Sequence, residues 1–343
     1  MPYRFCLQDF HLGQRIKGQD RRSLRRYRFQ LSTQRQAQKI FDGKNFTVAK
    51  NINGYLLDAP NVYAMKRNLP LCDVPIMTKG NYGTDNGNLM IKASELEDFV
   101  KREPAAKKYI RVAIGGDELI NGKIRYCLWL VDCSPHELRK MPLVYQRVQA
   151  VRDFRLASSK AATRDDAETP WLFQEIRQPT KNYIMIPQVS SERRRYVPMG
   201  FLSPDVIATA QSLIIPDATL YHFGILTSLT HMAWMRVTCG RLGISYRYSN
   251  TIVYNNFIWP KPTAEQKKLI ETTAQKILDV RKKYPDSTLA DLYDPLTMPK
   301  DLRAAHNAND KAVAAAYGFE KILDDELAMV LELFKQYEEL PKN

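Results

Sequence analysis

Three short segments of the chain concentrate side chains that hydrogen-bond well to nucleic acid. They are TKGNYGTDNGN at residues 78–88, SSERRRY at 190–196 and RVTCGRLGISYRYSN at 236–250. Arg and Asn form paired hydrogen bonds with the major-groove edges of guanine and adenine, and Glu accepts one from cytosine. Ser, Thr, Tyr and most Arg and Lys contact phosphate oxygens instead. The three segments together indicate a DNA-binding surface.

Each segment also has a simpler explanation. Gly, Asn and Asp are the residues that build tight turns, which alone accounts for the composition of 78–88. A run of charges such as SERRR can also protect a strand edge against unwanted pairing. Residues 240–260, however, contain three Tyr, two Arg, three Asn and no acidic residue. Three such segments in one basic chain favour DNA binding over the simpler explanations.

The chain is strongly basic, and its charge is unevenly distributed. Of 343 residues, 51 are Lys or Arg and 37 are Asp or Glu, which gives a net charge of +14. Residues 1–50 hold twelve of the basic residues and three of the acidic ones, so the remaining chain contributes only +5. A positive net charge favours a polyanionic partner. Because the excess lies near the N-terminus, the prediction of DNA binding depends on where the other basic residues lie.

The sequence contains no familiar catalytic motif. Gly-rich phosphate loops, a G-x-S-x-G turn and an H-E-x-x-H pair are all missing from it. The five cysteines form no C-x-x-C pair and predict neither a zinc site nor disulfides, as suits a reducing cytoplasm. We therefore predict no catalytic residue and no metal site. Two alternatives stay open: a metal-dependent nuclease using Glu175 and a second carboxylate, and a general nucleic-acid-binding protein that uses its N-terminal arginines.

The DNA-binding segments lie among predicted strands. Strands 109–114 and 124–131 are predicted to form a β-hairpin, because Asn121-Gly122 is a favoured two-residue hairpin turn. Strands 182–190 and 194–202 flank the SSERRRY segment.

A basic amphipathic helix is predicted over residues 134–158. Ser134 is suited to its N-cap and Pro135 to its first position. Its apolar face consists of Leu138, Met141, Val144, Val148 and Val151. Its basic face consists of Arg139, Lys140, Arg147, Arg152 and Arg155. A solvated face explains these charges without any function.

The last third of the chain reads as helical. A mostly apolar run at 220–235 predicts a buried helix, and residues 263–284, 299–317 and 320–339 predict three more. Thr263 and Gln266 resemble a capping box, and Gly318 is placed to end the second of the three.

These elements predict an α+β fold, in which a mixed-sheet domain is followed by a C-terminal helical bundle or spacer. We divide the chain into an Arg-rich, poorly ordered or atypical segment at 1–50, a DNA-recognising domain at 51–260 and a helical domain at 261–343. The first segment could be a basic arm, a targeting peptide or a stretch outside the fold. No run approaches the roughly 18 apolar residues that span a bilayer, so we expect a cytoplasmic protein without a membrane partner.

Several consecutive blocks resemble one protein family. They are YLLDAPNVY, PLCDVPIMTKGN, IPQVSSERRRYVPMGFL, HFGILTSLTHMAWMRVTCGRLGISYRYSNTIVYNNFIWP and LRAAHNANDKAVAAAYG. In order, over about residues 51–318, they are similar to the MmeI-type restriction–modification enzymes, which are large single-chain, adenine-specific DNA methyltransferases. In that family such blocks form the target recognition domain and the helical segment after it.

The resemblance implies a part of the enzyme that reads DNA. The family's methyltransferase domain, with its Gly-rich cofactor motif and Asn-Pro-Pro loop, precedes these blocks, and neither motif occurs in this sequence. We therefore expect no cofactor in this chain, S-adenosylmethionine belonging to the missing domain. The implied partners are double-stranded DNA and a methyltransferase domain, in cis or in trans.

We divide the candidate DNA-binding residues by role. Base readout is assigned to Lys79, Asn81, Asn86, Glu192, Arg193 and Arg195. Contacts with the DNA backbone are assigned to Arg236, Arg241, Arg247, Tyr248 and Asn250. No spacing rule separates an arginine that reads a base from one that binds a phosphate, so the division rests on the segment in which each residue lies.

Overall fold

The computed structural model describes residues 38–42 and 45–339, which divide into two compact units. Residues 66–333 form the larger unit, and the described residues before 66 and after 333 form the other. The predicted α+β class is confirmed, since sheets dominate the first part and helices the last. Within the described ranges, no helix is long and apolar enough to cross a membrane.

The strands, in chain order, are β1 (Gln38–Asp42), β2 (Asn45–Ala49), β3 (Thr78–Lys79), β4 (Met90–Lys92), β5 (Ile110–Ile114), β6 (Arg125–Leu128), β7 (Tyr183–Pro187), β8 (Val189–Ser190), β9 (Gly200–Leu202), β10 (Val206–Ala208), β11 (Ser212–Pro216), β12 (Gly240–Leu242) and β13 (Ser245–Arg247).

The α-helices are α1 (Leu96–Arg102), α2 (Gly116–Asn121), α3 (Pro135–Arg139), α4 (Pro142–Leu156), α5 (Ala161–Asp165), α6 (Leu220–Leu226), α7 (Leu229–Thr238), α8 (Ala264–Arg281), α9 (Leu289–Leu292), α10 (Lys300–Tyr317) and α11 (Glu326–Glu339). A single π-helical turn, Asn250–Tyr254, follows β13.

Part of the N-terminal segment is structured. Strands β1 and β2 pair antiparallel, from Gln38 opposite Ala49 to Asp42 opposite Asn45. The description of residues 1–50 as poorly ordered or atypical stays a prediction, and these two strands lie at the end of that segment. The Arg-rich stretch to which that expectation mainly applied lies before residue 38, outside the described residues.

A mixed four-stranded sheet, in the order β10-β5-β6-β4, forms one core with helix α4. Strands β5 and β6 pair antiparallel as predicted, but Asn121-Gly122 is not their connecting turn. Helix α2 joins the strands instead, and Gly122, at φ 64°, ends that helix in the left-handed conformation. An Asn-Gly pair suits both structures, because each requires a residue with positive φ.

The predicted basic helix is two helices, α3 and α4. Ser134 caps the first and forms a capping box with Glu137, as its sequence indicates. Pro142 interrupts the run because proline lacks the N–H that a continuous helix requires. The predicted apolar face is buried, whereas Arg155, predicted on the solvated basic face, is fully buried too.

Two further sheets lie beyond α4. One is antiparallel, in the order β3-β11-β7-β9, and buries Tyr183, Met185 and Ile214. The other consists of β12, β13 and β8. The strand predicted at 194–202 is confined to β9, because residues before Gly200 form an irregular segment that runs through the interior.

The C-terminal helices begin and end largely as predicted. Thr263 and Gln266 form a capping box at the start of α8, and Gly318, at φ 73°, ends α10. The buried run at 220–235 is two helices, because Ser228 caps α7 and interrupts it. Gly224 allows α6 to lie close to α8: a Cβ on this glycine would lie 2.7 Å from Ile270. The division at Pro260 stays a prediction, since both sides belong to one compact unit.

Candidate nucleic-acid interface

The small sheet β12-β13-β8 brings two of the three predicted segments together. Tyr246 pairs with Ser190 and Arg247 pairs with Val189. Because Tyr246 is nearer the tip of the β12–β13 hairpin than Arg247, strand β8 runs towards that tip. The turn that follows β8, residues 191–195, therefore leaves the sheet at the edge where the hairpin tip lies. We call residues 191–195 the arginine turn.

The arginine turn presents charged side chains to solvent. Glu192, Arg193 and Arg195 are all exposed. Arg193 retains 52% of its side-chain exposure, and its guanidinium lies 3.9 Å from the carboxylate of Asp294. The backbone N–H of Arg193 donates to the Ser191 hydroxyl at 3.3 Å, which helps to shape the turn. One carboxylate and two guanidiniums are therefore available to a partner.

Arg194 is a further candidate, which the sequence reasoning missed. Its side chain is half-buried, and its Nε has no hydrogen-bond partner among the described residues. Burial lowers the pKa of Arg194, although an arginine stays charged at neutral pH. Nothing in the run of three arginines distinguishes the middle one, because its burial depends on elements distant in sequence.

Arg236 anchors the arginine turn from behind. Its Nη1 lies 2.7 Å from both carboxylate oxygens of Glu326, and its Nη2 donates to the backbone carbonyl of Arg195. Only 17% of its side chain is exposed. The prediction that Arg236 contacts the DNA backbone is therefore corrected, because its guanidinium is engaged within the protein.

A buried polar network holds the residue that follows the turn. The Tyr196 hydroxyl donates to Asp310 at 2.6 Å, and the backbone N–H of Leu229 donates to the same carboxylate at 2.7 Å. The Tyr196 ring stacks on His306, with centroids 4.1 Å apart. Burial raises the pKa of Asp310 to about 6. The arginine turn is thus held by Arg236 of α7, which pairs with α11, and by the network around Asp310 of α10.

The β12–β13 hairpin carries two exposed arginines. The Arg241 guanidinium lies 4.1 Å from the centre of the Tyr246 ring, directly across the hairpin, and donates to the carbonyl of Ile244 at 3.3 Å. Arg247 is exposed at the other end of β13. Both guanidiniums remain accessible, so the structure is compatible with their predicted contacts with phosphates.

Tyr248 and Asn250 point into the protein. The Tyr248 side chain is buried, and its hydroxyl lies 2.8 Å from Nε2 of His231. Burial lowers the pKa of His231 to about 3, so this imidazole is neutral at pH 7. Asn250 donates its amide N–H to the carbonyl of Met77 at 3.1 Å. The predicted DNA-backbone role of Tyr248 is therefore corrected to one in packing, and Asn250 is largely occupied within the fold.

Much of the polarity of the loop at 78–88 is used in hydrogen bonds to other parts of the protein. Asn81 is 1% exposed. Its Nδ2 donates to the carbonyl of Ala208 and to Gln178, and its Oδ1 accepts from the backbone N–H of Arg177, all between 2.7 and 2.9 Å. The prediction that Asn81 reads a base is corrected for this reason. Lys79 and Asn86 are exposed and stay candidates.

Arg155 supports this loop from inside the protein. Its guanidinium donates to five backbone carbonyls at 2.7–3.2 Å; two belong to the loop, and the others follow α5 or precede β7. The five carbonyls are those of Gly83, Thr84, Asp166, Thr169 and Leu172. No sequence signal identifies this role, because the residues that supply the carbonyls are 11 to 72 positions away.

Glu175, the carboxylate of the nuclease alternative, pairs with Arg177. Its backbone also forms an isolated bridge with Tyr82. In the part of the chain that the structure describes, no group of three His, Cys, Asp or Glu side chains lies close enough to hold a metal ion.

The chain consists of a target recognition domain followed by a C-terminal domain. Residues 58–261 match the family model of the MmeI target recognition domain, and residues 262–343 match that of the MmeI C-terminal domain. The chain therefore belongs to the MmeI family, which confirms the resemblance found in its sequence.

Two relatives illustrate the extent of the match. DNA methyltransferase A of Bacillus subtilis (strain 168) is 36% identical over 302 residues, covering 88% of this chain and 34% of the relative. The solved structure of the Type IIL restriction-modification enzyme MmeI in complex with DNA has 42% sequence identity and a TM-score of 0.86. That match covers 90% of this chain and 42% of the MmeI chain. The chain thus spans less than half the length of either relative.

Proposed function

We propose that this chain supplies sequence recognition to an adenine-N6 DNA methyltransferase of a restriction–modification or phage-defence system. The observation that carries the proposal is the arginine turn, where Glu192, Arg193 and Arg195 face solvent while Arg236 and Tyr196 fix the backbone from behind. A fixed backbone with exposed charged side chains is suited to reading base edges in the major groove, since the backbone loses little conformational entropy on binding. The structural match to an enzyme in complex with DNA supports the same partner.

Contacts with the DNA backbone fall to cations around the turn. Arg241 and Arg247 on the β12–β13 hairpin are exposed, whereas the exposed Lys79 and Asn86 of the loop at 78–88 keep their assignment to base readout. Phosphate contacts position a protein on DNA without reading its sequence. In this proposal the exposed arginines of the hairpin set the register, and the arginine turn distinguishes the base pairs.

The chemistry belongs to a partner domain. A methyltransferase domain, joined in cis or bound in trans, would hold S-adenosylmethionine, flip the target adenine out of the duplex and methylate its N6. The residues of this chain would contribute sequence specificity and contacts with the DNA backbone. DNA methyltransferase A of Bacillus subtilis and the restriction-modification enzyme MmeI support this division of labour, because both are much longer than the chain.

Selection from a randomised duplex library at about 150 mM salt tests the proposal, because non-specific attraction is weakened at that salt concentration. We expect one short motif to be enriched. Arg193→Ala and Arg195→Ala should each lose preference at one position, by about 1–3 kcal/mol for a lost bidentate contact. Arg247→Ala should instead weaken binding to all sequences and lower the salt slope by about 1. Arg303→Ala, an exposed arginine on α10, is the matched control and should change neither.

Two results would count against this function. If no motif is enriched, the chain does not read sequence. If the substitutions in the arginine turn weaken all sequences equally, those arginines bind phosphates and the recognition role assigned to them is wrong.

A further inference from the structure

The tip of the β12–β13 hairpin exposes two aliphatic side chains. Gly243, at φ 58°, and Ile244 form the two-residue turn between the strands, an arrangement in which glycine at the first position is favoured. Leu242 is 58% exposed and Ile244 is 73% exposed. Neighbouring aliphatic groups held this far into solvent suggest an interaction surface.

The hairpin holds these side chains in a defined place. Arg241 stacks on Tyr246 across the two strands and donates to the carbonyl of Ile244. Strand β13 is in turn paired with β8. The exposed tip is therefore braced by cross-strand contacts on one side and by a third strand at its base.

The tip and the arginine turn lie at the same edge of the sheet. Tyr246 pairs with Ser190, and Ile244 lies two residues closer to the hairpin tip than Tyr246. The arginine turn begins at Ser191, the residue that follows Ser190. Each residue advances a strand by about 3.3 Å and neighbouring strands are about 4.8 Å apart, which places the tip within roughly 10 Å of Ser191. Along DNA this distance corresponds to about three base pairs.

The charge around the tip indicates what it contacts. Arg241 lies beside it, Arg247 is exposed at the base of the same hairpin, and residues 240–260 contain no acidic side chain. A surface of this kind attracts a polyanion, and an element beside the arginine turn would enter the same groove. In the major groove the apolar group that base edges offer is the C5-methyl of thymine.

We propose that Leu242 and Ile244 contact the 5-methyl group of a thymine within about three base pairs of the bases contacted by the arginine turn. The hairpin would thereby add a contact specific for T·A to the polar readout. This inference rests on the proposed function, since it requires that the arginine turn enters the major groove.

Replacing thymine by uracil tests the contact, because the two bases differ only in that methyl group. The site enriched by the full chain is synthesised with each thymine replaced singly by uracil, and equilibrium binding is measured for each duplex. Burying one methyl group contributes about 0.8 kcal/mol, so we expect one replacement to weaken binding about fourfold. The double variant Leu242→Ser/Ile244→Ser should bind the thymine and uracil duplexes equally.

Two further variants make the test specific. Leu242→Met/Ile244→Met keeps an apolar tip and should retain part of the preference for thymine. Leu269→Ser, at a half-exposed leucine on α8, should retain all of it. Thermal melting of each variant shows that it is folded, which the exposure of all the substituted side chains leads us to expect.

The outcomes separate this inference from the proposed function. An enriched site that lacks a T·A pair, or one in which no uracil weakens binding, overturns the methyl contact and leaves sequence recognition standing. The same follows if the serine variant keeps the wild-type preference for thymine, since another group then contacts the methyl. If no site is enriched at all, the proposed function fails and the inference fails with it.

Discussion

The arginine turn and the loop at 78–88 are both rich in polar side chains, Arg in the turn and Asn in the loop, but they differ in where those side chains point. In the loop, Asn81 bonds to three groups of the protein, and Arg155 takes up two loop carbonyls. In the arginine turn, Glu192, Arg193 and Arg195 face solvent, and the polar groups that hold the turn come from helices behind it. Richness in polar side chains therefore marks both a loop that is bonded to the rest of the fold and a candidate recognition surface. What separates them is whether the fold itself supplies the hydrogen-bond partners.

The largest expected effect is on stability, through the loop at 78–88. Arg155→Met should lower the free energy of unfolding by roughly 3 kcal/mol or more, because the fully buried guanidinium is lost and five partly buried carbonyls lose a charged donor. Urea unfolding measures the change. Arg152→Met, on the exposed side of the same helix, is the control and should change stability by less than about 0.5 kcal/mol. A loss below about 1 kcal/mol for Arg155→Met would show that the loop does not depend on this guanidinium.

The buried carboxylate behind the arginine turn should make stability depend on pH. Burial raises the pKa of Asp310 from 3.8 to about 6, opposed by its hydrogen bonds and by the nearby guanidiniums of Arg195 and Arg236. Between about pH 4 and pH 6, Asp310 therefore keeps its proton in the folded protein but has released it in the unfolded chain. The resulting stabilisation is complete below pH 4 and is lost as the pH rises through 6.

Asp310→Asn checks this sign. The amide keeps an acceptor for the N–H of Leu229 but does not ionise. We expect the wild type to lose roughly 2–3 kcal/mol relative to the variant between pH 4 and pH 7, measured as the difference in urea unfolding. A difference that is constant over this range would mean that Asp310 titrates as it does in the unfolded chain.

The smallest expected effect concerns the anchor of the arginine turn. Glu326→Gln weakens the pair with Arg236, which is partly buried, and should lower stability by about 1 kcal/mol. It should also reduce the preference for the enriched site while leaving binding to unrelated DNA unchanged, because Arg236 orients the turn and does not contact DNA. Glu320→Gln, an exposed residue without this role, is the control. A uniform loss on all DNA would instead assign Arg236 a phosphate contact.

Local chemistry explains which parts of the fold the sequence predicts. Ser134 and Thr263 each cap a helix in the predicted place, and Gly318 ends one, because capping involves residues three or four positions apart. Asn121-Gly122 gives a wrong prediction for a related reason. A left-handed residue suits a hairpin turn and a helix end equally, and here the residues before it, Gly116–Asn121, form helix α2.

The candidate site depends more on distant partners. Arg236 bonds to Glu326, 90 positions away, and the partners of Asn81 are 96 to 127 positions away. Neither residue type nor spacing reveals such contacts. The exposed residues Lys79, Asn86, Glu192, Arg193, Arg195, Arg241 and Arg247 remain predicted DNA contacts. Residue types thus identify the segments, whereas the structure decides which members of each segment are free to bind.

Selection of DNA sites by two variants in parallel tests whether the solvent-facing turn, and not the internally bonded loop, reads the DNA sequence. Arg195→Ala alters the solvent-facing turn, and Asn81→Ala alters the internally bonded loop. We predict that Arg195→Ala loses preference at one position of the enriched motif, by about 1–3 kcal/mol, and keeps wild-type stability. Asn81→Ala should keep the motif at every position while losing about 2 kcal/mol of stability, because buried hydrogen-bonding groups are left unpaired. The reverse pattern, with a position lost in Asn81→Ala and none in Arg195→Ala, would mean that the loop at 78–88 reads bases and the arginine turn does not.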